Sequence, residues 1–315
     1  MTRPKLHAVF QTLGHTAALK DGTVRMPEFD LEFTDVVPII QAFRRMVRGL
    51  EFDICEMALT TYLAARACNK PFTALPIFPV RAFHHGAILH NTRLGIRSPK
   101  DLEGRRVGVS RGYTVTTGVW ARSVLQHEHG VDLGKVTWVL SGDEHVAEYR
   151  PPANVVSLDK GRTLENSLIA GDLAAAIGIR VEHPDVAPLI AEAAAVGFER
   201  LAREGYYPIN HLLVVKDTVL RSHPQVAVQL FEAFAAAKQP YLERLRKGQI
   251  APPSTADQLY GRVLEITGHD PLPYGIEPNR SMLEALVRYA KEQGILSRAY
   301  ALEELFAPQT LTLKD

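Results

Sequence analysis

Arg81, His84 and His85 interrupt the apolar stretch RAFHHGAILHN (81–91), and Asn210 with His211 closes a second polar interruption, YYPINH (206–211). An imidazole exchanges its proton near neutral pH, and a planar guanidinium holds a carboxylate through two parallel hydrogen bonds. Together these groups can clamp an organic acid and move a proton onto it. Read as an extended strand, 81–91 sends Arg81, Phe83 and His85 to one face and His84 to the other. A single histidine reads more readily as a satisfied structural residue. The grouping of Arg81, His84 and His85 with Tyr206, Tyr207, Asn210 and His211 is what points to a ligand site.

Glu56, in FDICEMAL (52–59), ends an apolar run just before a turn into a helix, where open α/β sheets place their ligands. Its carboxylate reads either as a buried partner for Arg81 or as a general acid with a raised pKa. A third candidate is the loop SRGYTVTTG (110–118), with Tyr113, Thr114, Thr116 and Thr117. Backbone N–H groups at a helix start hold a carboxylate without a cationic side chain, whereas Thr116 and Thr117 can also be plain N-caps. No Gly-Lys-Ser/Thr follows, so this is not a nucleotide-phosphate loop.

No metal is predicted. His84 and His85 point to opposite sides of a strand, and His127 and His129 of HEHG (127–130) lie two apart on a helix, on different faces. HEHG reads as solvated surface. DEHVAEY (143–149) follows a strand end and can reach the site.

Alternating elements must position these residues. KLHAVFQTL, LEFTDVV, FDICEMAL and FTALPIFPV read as strands. PIIQAFRRMVRG between them is a helix whose Ile39, Ile40, Phe43 and Met46 or Val47 form its apolar face. A second block brings a short helical turn in SPKDL, strands at Arg106–Ser110 and KVTWVLS, and TLENSLIAGDLAAAIGI as helix, turn and buried strand. After the strand GYYPINHLLVVKD the chain is mainly helical. Such alternation argues an α/β protein with mostly parallel sheets.

The 315 residues are 46% hydrophobic and 23% charged, with a formal net charge of +1, the balance of a globular protein. No global field calls for nucleic acid or an anionic membrane. Cys55 and Cys68 match no common zinc spacing and read as buried free thiols. The start, MTRPKLHAVFQTLGHT, lacks the apolar core of a secretory signal, and no stretch is long enough to span a membrane. The chain therefore reads as cytoplasmic, and self-association is left open.

SPKDLEGRRVGVS and AGDLAAAIG together resemble the type II periplasmic-binding-protein fold. That resemblance implies two α/β lobes, a ligand cleft between them and two crossover strands, RAFHHGAILH outgoing and YYPINHLLVV returning. Residues 1–86 and 212–315 would form one lobe and 87–211 the other. Within that fold FDICEMALTTYL, ALPIFPVRAFHHGAI, TTGVWARSVLQHEHGV and YYPINHLLVV are similar to the 4,5-dihydroxyphthalate decarboxylase family and its substrate-binding-protein-like relatives. Leu13-Gly14 stand where family members carry a Tyr-Asp pair. The resemblance implies a small aromatic carboxylate as ligand and no organic cofactor. On the decarboxylase reading Arg81 and the Thr116/Thr117 loop clamp the carboxylate, His85 or Glu56 donates the proton, and His211 faces the phenol. On the binding-protein reading the same groups hold the ligand without turnover. A third reading, a ligand-sensing regulatory domain, would bring a helix-turn-helix, which the chain does not show.

Overall fold

The computed structural model describes residues 3–315. They form two compact units, Met1–Ala82 with Ile209–Ala285 and Tyr300–Asp315, and Phe83–Pro208 with Leu286–Ala299. The backbone thus changes unit after residues 82, 208, 285 and 299. Residues 286–299, expected in the first lobe, cluster with the second unit, and the boundaries near 86 and 211 shift by a few residues.

The first unit is built on a five-stranded sheet of β1 (Lys5–Val9), β2 (Asp30–Phe33), β3 (Ile54–Ala58), β4 (Phe72–Arg81) and β11 (Ile209–Lys216), in the order β2-β1-β3-β11-β4. The first three run parallel, and β11 lies antiparallel between β3 and β4. A strand covered on both faces needs an unbroken apolar run. β3 comes close: every residue of ICEMA is buried, and Glu56 is its one polar member. Helices α1 (Ala17–Lys20), α2 (Ile40–Gly49), α3 (Leu59–Ala67), α7 (Asp217–Ser222), α8 (Val226–Arg246) and α9 (Thr255–Thr267) complete the unit, with the start of α10 (Arg280–Glu292). The α2 stripe buries Ala42, Phe43, Met46 and Val47, and Leu50 closes the helix in the left-handed region. From α8, Leu230, Phe231 and Phe234 join Phe10, Ile54, Leu75 and Leu213 in the main core. The same helix buries Lys238 against Asp270, Asp315 and the Leu272 carbonyl, tying the C-terminal segment to it.

The second unit carries six strands in the order β10-β5-β9-β6-β7-β8: β5 (Ile88–Asn91), β6 (Arg106–Val109), β7 (Thr137–Leu140), β8 (Val155–Ser157), β9 (Ala175–Ile177) and β10 (Val186–Pro188). β5 pairs antiparallel with β9 and β10, while the other pairs are parallel. Both sheets are therefore mixed, because β5 and β11 each enter their sheet against its main direction. Helices α4 (Thr116–His129), α5 (Leu164–Ala170) and α6 (Ala193–Glu204) pack here. Arg122 of α4 is fully buried, its guanidinium 3.8 Å from the Tyr113 ring centroid, donating to Gln293 Oε1 and the Tyr113 carbonyl. Burial pushes its pKa below the usual arginine range.

The stretch 81–91 is not one strand. β4 ends at Arg81, a short 3-10 turn covers His85–Ala87, and β5 starts at Ile88. The strict alternation expected for Arg81, Phe83 and His85 is broken by that turn. Among the described residues no helix is long and apolar enough to cross a membrane, and Cys55 and Cys68 are free thiols.

Candidate active site

In the first unit β3 and β11 pair with Glu56 opposite Leu213 and Ala58 opposite His211. Side chains alternate along strands, so Glu56 and His211 are diagonal neighbours on one face of the sheet. His211 Nδ1 lies 2.6 Å from Glu56 Oε1. An ionised carboxylate only accepts, so Nδ1–H donates and Nε2 is the ring's reactive end. Gln11, just past β1, completes the support: its backbone N–H donates to Glu56 Oε2 at 2.8 Å and its side-chain amide to Oε1 at 2.7 Å. The Phe43 ring meets the imidazole edge-on at 5.1 Å. Glu56 is 1% exposed and His211 16%, so the imidazole is the accessible end of a Gln11–Glu56–His211 chain. No described residue hydrogen-bonds its Nε2.

Burial raises the Glu56 pKa, but the His211 hydrogen bond and charge and the two Gln11 bonds outweigh it. The carboxyl sits below its ordinary range. That corrects the general-acid expectation: Glu56 is an ionised orienting group at neutral pH. The Arg81 guanidinium donates to Asn279 Oδ1, and Asn279 in turn donates to the Pro273 and Gly275 carbonyls. Arg81 is 4% exposed, and Asn210 is buried beside His211 on β11.

His84, His85, Tyr113, Thr114, Thr116, Thr117 and Tyr207 belong to the second unit. His85 has no exposed surface, and its Nε2 lies 3.0 Å from Glu128 Oε2. Arg200 joins the same carboxylate and stacks 3.8 Å from the Tyr206 ring centroid. The imidazole is thus wholly buried, with Nε2 on a carboxylate and Nδ1 buried without a hydrogen-bond partner. Burial raises the Glu128 pKa, yet His85 and Arg200 bring it below the ordinary value. His84 and Tyr207 are buried too, Tyr207 against Phe83 at 5.6 Å.

The loop before α4 does form an anion cradle, and an internal anion fills it. The Tyr113 and Thr114 N–H groups and Thr114 Oγ1 all donate to the Glu144 carboxylate. Gly112 makes room, since a β-carbon there would lie 2.6 Å from Glu144 Oε2. Val115 takes the cap position and Thr116 and Thr117 are the first helical residues, so neither threonine caps α4. Removing the carboxylate leaves these donors without it, at a cost of about 1.5–3 kcal/mol for a charge-assisted set. Glu144→Ala is therefore expected to lower the urea midpoint accordingly, and an unchanged midpoint would count against this reading of the loop.

Of the sequence candidates, Glu56 and His211 come together in a hydrogen-bonded pair. Gln11, Asn279, Glu128, Arg200 and Glu144 were missed. Glu144 had a signal in DEHVAEY at a strand end, and Gln11 in the polar close of KLHAVFQTL. Asn279, in a Pro-rich loop, had none.

Two α/β units on separate mixed sheets define a periplasmic-binding-protein-like protein. Solved structures with this fold include the alkanesulfonate-binding protein SsuA of Xanthomonas axonopodis (14% identity, TM-score 0.51, 98% of this chain and 99% of that one). The aliphatic sulphonate-binding SsuA of Escherichia coli (10%, 0.56, 99% and 100%) and the desulfurization enzyme DszB (15%, 0.54, 98% of each) share it. In sequence the chain is 31% identical over 310 residues, 93% of each, to 4,5-dihydroxyphthalate decarboxylase of Comamonas testosteroni. It is 36% identical over 185 residues, 54% of this chain and 71% of the relative, to 4,5-dihydroxyphthalate decarboxylase of Pseudomonas putida. The chain belongs to the 4,5-dihydroxyphthalate decarboxylase family. No protein-family profile matches it.

Proposed function

We propose that the protein decarboxylates a hydroxylated aromatic acid of the 4,5-dihydroxyphthalate type, with the Glu56–His211 pair as its proton-transfer group. The observation that carries this reading is the fixed imidazole: Nδ1 bound to a buried, ionised carboxylate, Nε2 at the accessible end. A pure binding site has no use for a titratable ring held in one tautomer.

In the proposed reaction protonated His211 transfers the Nε2 proton to the ring carbon bearing the carboxylate. The C–C bond to the carboxylate then breaks, its electron pair restores the aromatic ring, and CO2 leaves. Atoms and charge balance: one proton enters and one CO2 departs. Glu56 supplies the counter-charge while the imidazole carries the proton, and Gln11 keeps the carboxylate in place. Incubating purified protein with 4,5-dihydroxyphthalate and a series of hydroxybenzoates tests the reading. CO2 and the ring product with one carboxyl fewer are expected; saturable binding without CO2 across the series would overturn it. In D2O one deuterium should enter the vacated ring position.

A further inference from the structure

Glu56 Oε1 accepts from two donors at once. The His211 ring N–H reaches it at 2.6 Å and the Gln11 side-chain amide at 2.7 Å, while Oε2 takes the Gln11 backbone N–H at 2.8 Å. A carboxylate oxygen has two lone pairs, so Gln11 and His211 divide the acceptor capacity of Oε1 between them. Because an ionised carboxylate only accepts, the Gln11 amide must turn its NH2 group, not its oxygen, toward Glu56.

Gln11 is itself held from both sides. It lies just past the end of β1, and its N–H finds a side-chain oxygen instead of a strand partner. Thr16, 1% exposed, donates through its hydroxyl to the Gln11 carbonyl at 2.7 Å and accepts from the Leu13 N–H at 2.8 Å. Both backbone groups of Gln11 are thus engaged, which aims its amide at Oε1.

The other titratable groups that feel the Glu56 charge are Cys55 beside it on β3, His15 after β1 and Tyr260 on α9, while α2 contributes the Phe43 ring. Burial pushes the Cys55 thiol well up, the His15 imidazole down to about 4 and the Tyr260 hydroxyl up to about 12. None of these three is charged at neutral pH. The His211 imidazole is therefore the group on which the Glu56 charge acts there.

We propose that Gln11 is a positioning residue that sets the pH range over which the Glu56–His211 pair delivers a proton. By donating to the same oxygen, its amide draws off part of the negative charge that would otherwise face the His211 N–H. The imidazolium is then held less tightly, and the pair gives up its proton at lower pH than it would without the amide. The inference rests on the decarboxylase reading only where it is followed through CO2 release.

An NMR titration of the histidine ring signals tests it without substrate, His211→Gln serving to assign the signal. Gln11→Met keeps the length of the side chain and removes the donor. The His211 signal is expected to titrate about half to one pH unit higher in this variant. The alkaline limb of kcat for 4,5-dihydroxyphthalate should move with it, at an unaltered KM. Gln11→Glu, which replaces the donor by a second carboxyl, should displace both further in the same direction. Equal titration midpoints in wild type and variants would overturn the inference, as would a lower kcat with the limb in place, the mark of a merely structural role. The two readings fail separately. A displaced ring titration in a protein that releases no CO2 removes the reaction and keeps the role of Gln11, whereas CO2 release with one limb common to all three proteins does the reverse.

Discussion

Replacing His211 by glutamine is expected to lower kcat for CO2 release by about 10²–10⁴-fold, the usual contribution of a positioned general acid, with binding changed only a few-fold. Glutamine keeps a hydrogen-bonding amide near Glu56 but has no ionisable proton to give. His211 sits at a strand position where Phe43 and Glu56 fix its ring, so the loss should fall on the chemical step. A variant that keeps wild-type kcat would remove His211 from the reaction. One that fails through KM alone would make it a binding residue.

Glu56→Ala is expected to lower the unfolding free energy by about 3–5 kcal/mol, the range for breaking a buried charged pair from one side. The Gln11 N–H and amide and the His211 Nδ1–H would all lose their acceptor in a site with almost no water access. Glu56→Gln keeps the volume and one acceptor oxygen, so it should fold closer to wild type while losing turnover. The pH dependence has a definite sign. The folded Glu56 pKa is depressed, so its stabilisation is fully present above the unfolded carboxyl value, about 4.3, and is lost as pH falls through the folded value. Urea unfolding of wild type and Glu56→Gln should therefore converge as pH falls through that window. A gap that stays constant across it would contradict the assignment of Glu56 as the ionised member.

Much of this architecture was legible in the residues. β3 and β11 are largely apolar runs broken by Glu56 and by Asn210 and His211, and α2 shows its core stripe as a helical period. These are local patterns, and burial follows from them directly. The strings that marked the family lie on β3 with α3, on β4, on α4 and on β11. The partners of the polar groups were far less legible, because spacing along one element says nothing of what packs against it. His85 found its carboxylate 43 residues away, on Glu128, within a motif that read as solvated surface. Arg81 found Asn279, from a loop without any motif. The N–H groups before α4 form an anion cradle, but Glu144, from another segment, fills it. The packing of Tyr241 on Gly14 is a long-range fit of the same kind: a missing β-carbon on one segment admits a ring from another.

Chemical rescue tests the central claim most directly. The measurement is CO2 release from 4,5-dihydroxyphthalate by His211→Ala, with and without added imidazole, beside the wild type. The account predicts near-zero release by the variant, restored in proportion to imidazole, with one deuterium in the product ring when the solvent is D2O. Release by His211→Ala at the wild-type rate without imidazole would contradict it.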